Sequence, residues 1–172
     1  DLSFVNDDAD ENPYNFAVSG TAAGAPEIAV SSSEGGAVAD GGTDAQGTET
    51  AGVQKTVTYT VTNSGTDTLT IATATSASPS NVTVDSISAP GSTTIAAGGG
   101  TTTFTVQYTP TLAGAFSFDL SFVNDDADEN PYNFAVSGTA AGGSSISGPG
   151  GTIADGSTDT IGTPPPAGSS GT

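Results

Sequence analysis

The chain has 172 residues, among them 19 acids, a single base and no His, Cys, Met or Trp, for a net charge of −18. That inventory leaves no nucleophile–base pair and no imidazole or thiolate metal site, and the charge repels nucleic acid and anionic membranes. No apolar run approaches the roughly 20 residues that span a bilayer, no charged-then-apolar leader is visible, and without cysteines the redox compartment is unreadable.

The first 24 residues, DLSFVNDDADENPYNFAVSGTAAG, recur unchanged as residues 119–142, an offset of 118. A solenoid repeats every 20–50 residues or so, whereas a period this long fits one β-sandwich domain. Residues 1–24 therefore read as the last two strands of a preceding or shared unit, 25–142 as one complete repeat, and 143–172 as a linker or the start of the next. GGTIADGSTDTIGT at 150–163 supports the last assignment, because it echoes GGAVADGGTDAQGT at 35–48. Either the chain is a window of a longer array or its ends pack on other copies.

Within the repeat, EIAVS (27–31) predicts a first strand, followed by a Gly-rich acidic loop from Ser32 to about Gly52. KTVTYTVTN (55–63) alternates Val57, Tyr59 and Val61 inward, and the turn SGTD leads to TLTIATA (68–74), which together predict a hairpin. NVTVDSI (81–87) is a shorter strand closed by Pro90-Gly91. TTTFTVQYTP (101–110) places Phe104, Val106 and Tyr108 on one face. GAFSFDLSFVN (114–124) spaces Phe116, Phe118, Leu120 and Phe122 two apart, and YNFAVSG (132–138) closes the unit. About seven strands, all compatible with antiparallel pairing, predict an all-β, immunoglobulin-like sandwich in tandem repeats. Helical periodicity is almost absent.

The runs TYTVTNSGTDTLTI and GGGTTTFTVQYTPTLAGAFSFDLSFVNDDADENPYNFAVSGTA resemble the bacterial choice-of-anchor D repeats, relatives of the Hydin-type (ASH) immunoglobulin-like domains. The resemblance covers essentially all of 25–142, and NDDADENPYNFAVSGT is its most specific part. It implies large, repetitive, exported bacterial surface proteins with varied anchors and no shared catalytic site. The Cys…Trp…Cys pattern of antibody domains is missing, so their binding-loop logic is not carried over.

The acidic loop carries the remaining chemistry. Asn124, Asp125, Asp126, Asp128 and Glu129 crowd into NDDADEN, as do Asn6, Asp7, Asp8, Asp10 and Glu11 in the first copy. Hard oxygen ligands at this density suit calcium, although the EF-hand glycine is missing. If the loop after the first strand lies at the opposite end of the sandwich, Asp40 and Asp44 of one unit would approach the NDDADEN loop of the next. Asp155 and Asp159 echo that pair. The expectation is a calcium-stiffened joint, set against a plain solvated turn.

Smaller signals complete the reading. Lys55, the sole base, would suit an isopeptide cross-link in a fibre domain but reads more simply as a solvated side chain. Asn81-Val82-Thr83 is a glycosylation sequon, and Pro164-Pro165-Pro166 a stiff spacer. Leu2, Phe4, Phe16 and Val18 match the core positions Leu120, Phe122, Phe134 and Val136, so they need a partner sheet and form a self-assembly surface. The expected function is a non-catalytic structural repeat of an extracellular, cell-surface protein or fibre, whose partners are further copies or adjacent repeats. An adhesin binding carbohydrate or a partner protein through its loops is the alternative.

Overall fold

The computed structural model describes residues 1–143 and, as backbone, 145–148 and 151–154. Residues 1–24 form a hairpin of β1 (Leu2–Phe4) and β2 (Tyr14–Phe16). The following unit begins with β3 (Ile28–Ser32), β4 (Gly36–Val38), β5 (Thr43–Thr50) and β6 (Lys55–Asn63). It continues through β7 (Leu69–Thr70), β8 (Thr75–Ser80), β9 (Val82–Ile87) and β10 (Thr94–Ile95). The long strands β11 (Gly100–Pro110), β12 (Gly114–Phe122) and β13 (Tyr132–Ala141) close it. A further pair, β14 (Ser145–Gly148) and β15 (Gly151–Ala154), follows; the described residues contain no helix. The rest of 143–172, with Asp155, Asp159 and Pro164–Pro166, lies outside the described residues.

Two sheets face each other, one ordered β4-β3-β6-β11-β9 and the other β5-β13-β12-β8. Alternation builds the space between them. Val57, Tyr59 and Val61 from β6 and Phe104, Val106 and Tyr108 from β11 face Phe116, Phe118, Leu120, Phe122, Phe134 and Val136, all buried. Tyr59 lies 5.2 Å from Phe134 and Phe104 lies 5.9 Å from Phe122, ring centre to ring centre, so the sheets meet through aromatic pairs. Each such side chain removed from water contributes about 1.5–3 kcal/mol, and Thr and Ser occupy the solvated positions between them. The result is the expected immunoglobulin-like β-sandwich.

Three expectations are corrected. The stretch Ser32–Gly52 is not one loop: β4 pairs with β3, and β5 crosses to the other sheet to run parallel to β13. An all-antiparallel sandwich is therefore broken at that one edge. The predicted hairpin of 55–63 with 68–74 does not form, because β6 pairs with β3 and β11 while β7 pairs with β10.

Buried Asn63 explains why that turn leads away. Its Oδ1 accepts from the Glu27 and Gly65 N–H groups, and its Nδ2 donates to the Asp67 and Ile95 carbonyls. One side chain thereby joins the turn after β6, the strand β10 and the chain entering β3. The Ala25 carbonyl accepts from Thr66 and Asp67 N–H, and the Glu27 carbonyl from Ser64 N–H. A Cβ at Gly65 would stand 2.4 Å from the Ala25 oxygen, so only glycine allows this approach. The chain enters β3 at this end, beside the β12–β13 loop. It leaves β13 at the other, where Ala51 N–H binds the Ala141 carbonyl.

Candidate functional site

The acidic loop is built from its own side chains. Asn124 Oδ1 accepts from Asp126 N–H at 2.8 Å and its Nδ2 donates to the Glu129 carbonyl at 2.8 Å. Asp126 is buried, with Oδ2 accepting from Ile28 N–H at 2.8 Å, and Asp125 Oδ1 accepts from Thr70 N–H at 2.7 Å. These carboxylates clamp the loop to the first strand and to β7. Asp128 is exposed, and Glu129 is half-buried with Oε2 facing no hydrogen-bond partner. Partial burial, then the charges of Asp126, Glu27, Asp128 and Asp40, raise the Glu129 pKa above the ordinary carboxylate range.

The junction geometry expected for Asp40 and Asp44 is corrected. Asp40 Oδ1 accepts from Asn133 N–H at 2.7 Å, which places it at the same end as the NDDADEN loop of its own unit, not at the opposite end. The cause is the short β4, which turns the chain back before β5 begins. Asp44 is buried between the sheets, 2% exposed, where Oδ2 accepts from Tyr59 OH at 2.8 Å and Gln46 Nε2 at 2.7 Å. Gln46 Oε1 in turn accepts from Tyr108 OH. Burial, then the neighbouring carboxylates, hold both phenols far above their ordinary range. No group of three or more such ligands among the described residues is placed to hold a metal ion. Two of the loop's carboxylates, Asp125 and Asp126, accept from the backbone N–H groups of Thr70 and Ile28.

In the first copy the loop keeps its internal bonds without a sandwich around it. Asn6 Oδ1 accepts from Asp8 N–H at 2.7 Å and Nδ2 donates to the Glu11 carbonyl at 3.0 Å, while Asp7, Asp10 and Glu11 are exposed. Asp8 Oδ1 accepts from Asp10 N–H, and contacts with Asp10, first from its side chain, lower the Asp8 pKa. On the adjoining strands Leu2, Phe4, Phe16 and Val18 are exposed, although Leu120, Phe122, Phe134 and Val136 are buried. The structure adds Tyr14, 45% exposed against 2% for Tyr132. The spacing 14, 16, 18 carries that signal, and Pro13 at the strand start obscures it.

The minor candidates resolve differently. Lys55 Nζ sits 3.2 Å from Glu34 and 3.3 Å from Glu49. Partial burial works against its charge, and the two carboxylates outweigh it and raise its pKa. The expected solvated lysine is a half-buried ion-paired one, facing glutamates and not the Asn or Asp an isopeptide needs. Asn81 has φ 53°, and its side chain bonds the Leu112 and Ala115 carbonyls, Leu112 N–H and Thr111 OH. The amide nitrogen that would carry a glycan holds the β11–β12 turn.

The described residues form shallow depressions on the sandwich surface. A depression of about 500 Å3 on the outer face of the β5-β13-β12-β8 sheet is lined by small residues such as Ala45, Ser80, Ser117 and Ser137, with no charged side chain. Its one aromatic, Phe116, turns its ring into the core.

No family model and no curated protein matches the chain. Among solved structures it is similar to a protein of unknown function from Porphyromonas gingivalis W83, at 17% identity and a TM-score of 0.47, over 67% of this chain and 46% of that one. It is also similar to the ASH/PapD-like domain 7 of human CEP192, at 11% identity and TM-score 0.47, over 76% and 97%. A family 123 glycoside hydrolase from Clostridium perfringens follows at 11% identity and TM-score 0.44, over 67% and 28%. The chain thus spans under half of the first of these and under a third of the last. The sandwich assignment stands on the strand order of the chain itself.

Proposed function

We propose that this chain is a non-catalytic structural repeat of an exported bacterial surface protein or fibre, of the choice-of-anchor D type, in which sandwich units follow one another end to end. What supports the reading is how soon the anchored entry to the sandwich follows the repeated strand segment. Ala141 is the last residue of β13, and its counterpart Ala23 is followed by only Gly24 before Ala25–Glu27 bind the 63–67 turn. Units so joined have entry and exit at opposite ends and little freedom between them, which suits a rod. The absence of His and Cys from the sequence speaks against nucleophile–base catalysis. An adhesin would need loops free to vary, whereas the acidic loop is consumed in holding its own fold.

Electron microscopy or small-angle scattering of a protein carrying several such units tests the reading. A stiff row of globules with regular spacing is expected; globules scattered on flexible tethers would refute it.

A further inference from the structure

We propose that Val53 and Leu112 are the apolar contacts of a joint, and that the partner they fit is the entry end of the next unit of the same kind. This joint presupposes the end-to-end reading above.

Two turns frame the exit end. The Ala141 carbonyl accepts from Ala51 N–H and the Pro110 carbonyl from Gly52 N–H, so the β5–β6 turn lies beside the departing chain and against the β11–β12 turn. A Cβ at Gly142 would meet the Ala113 Cβ at 3.9 Å, which puts the β11–β12 turn beside the departing chain as well. Each turn carries one large apolar side chain into solvent, Val53 at 56% and Leu112 at 70% exposure. Among the described residues of the sandwich, Val123 alone is comparable. Exposed apolar bulk is therefore concentrated where the chain leaves.

The entry end presents small side chains. Ala25 N–H donates to Thr66 Oγ1, and the Ala25 carbonyl accepts from Thr66 and Asp67 N–H. The Gly65 carbonyl accepts from Gly98 N–H, which brings Ala96 and Ala97 to the same turn. Ala25, Thr66, Ala96 and Ala97 are exposed, while Asp67 directs Oδ1 to the Thr68 N–H.

Chain length brings the two ends together. TAAG closes both copies of the repeated segment, at 21–24 and 139–142, so in a preceding unit of this kind Ala23 takes the place of Ala141, held by the β5–β6 turn. Ala25, two residues on, is held by the 64–67 turn of the next unit. Two residues reach about 7 Å. A Cβ at Gly24, between them, would meet the Asp67 Cβ and the Thr66 carbonyl oxygen at 3.2 Å, just as one at Gly142 meets Ala113. One glycine is thus lined by the β11–β12 turn of one unit and by the 64–67 turn of the next. Beside so short a connection, Val53 and Leu112 exchange water for the alanines and threonine of the following unit.

The sequence has no cysteine, so single introduced thiols report this contact directly. In the full chain, Leu112→Cys and, separately, Val53→Cys should leave the melting temperature unchanged and label fast with a maleimide. In a protein of three units joined through TAAGAPEIAV, as at 21–30, fast labelling of either thiol should be lost in the first two units and kept in the third. Thr103→Cys, exposed in the middle of β11, should label equally in all three. Equal labelling of Leu112→Cys in all three units, or a lowered melting temperature in the full chain, would overturn the proposal. Microscopy of the same three-unit protein separates this from the rod. Stiff rows with equally reactive thiols sink the joint surface alone, whereas units on flexible tethers refute the rod and the joint with it.

Discussion

Asp44 shows what an acid does when it is not on the surface of so acidic a chain. It joins β5 to β6 through Tyr59 and to Gln46 beside it, while its Oδ1 meets no partner and crowds Gly35, where a Cβ would lie 2.8 Å away. Asp44→Ala strands the Tyr59 hydroxyl and the Gln46 amide and should cost about 2–4 kcal/mol in urea unfolding. Asp44→Asn keeps an acceptor for both and should cost clearly less. Glu129 makes the opposite prediction. Its pKa is raised in the folded protein, so the stability tied to its proton is present at low pH and is lost as pH rises through that raised value. Glu129→Gln should therefore stabilise the protein near neutral pH by up to about 0.5 kcal/mol and give nothing near pH 3, which thermal melts across pH would reveal. At the alkaline end, burial and then Glu129 and Asp40 push Tyr132 up to about 12. Stability should hold below the ordinary phenol value near 10 and fall as pH climbs toward that raised value. Phenolate absorbance should appear together with the loss of sheet signal.

Strands make the duplicated segment into an internal control. At Gly138 a Cβ would meet the Phe116 ring at 2.6 Å and the Gly47 carbonyl at 2.9 Å, whereas at Gly20 nothing lies within 4 Å. Gly138→Ala should destabilise the sandwich by about 1–3 kcal/mol, and the same change at Gly20 should be neutral in the same melt. The elements legible in the sequence are those whose inward residues are apolar, such as β6, β11 and β12. β5 escapes because its inward positions are Asp44 and Gln46, so TDAQGTET shows polar residues at every second place and reads as loop. β8, exposed along its whole length, carries no alternation at all. The false hairpin has a good turn sequence, but a turn states only that the chain reverses. Asn63, buried and bonded to three other segments, decides where it goes, and nothing near it in sequence announces that. The acidic loop is legible as composition but not as a set of contacts, because side chains that cap backbone N–H groups look the same in sequence as side chains awaiting a cation.

Taken whole, the molecule holds 19 acids against one base on a sandwich of modest core. Salt should raise its melting temperature by screening self-repulsion. Calcium chloride should do no better than sodium chloride of equal ionic strength, since no three carboxylates converge among the described residues; a larger shift with calcium would contradict that geometry. The fastening of Ala25–Glu27 at one end and the departure of β13 at the other carry a mechanical consequence. A pull on the two ends of the unit draws β3 and β13 in opposite directions along their own axes, each against neighbours in a different sheet. The five rungs between β3 and β6 and the longer ladders beside β13 are then sheared together instead of unzipped one by one. Under tension a unit built this way fails late and all at once, at a rate set by its unfolding barrier.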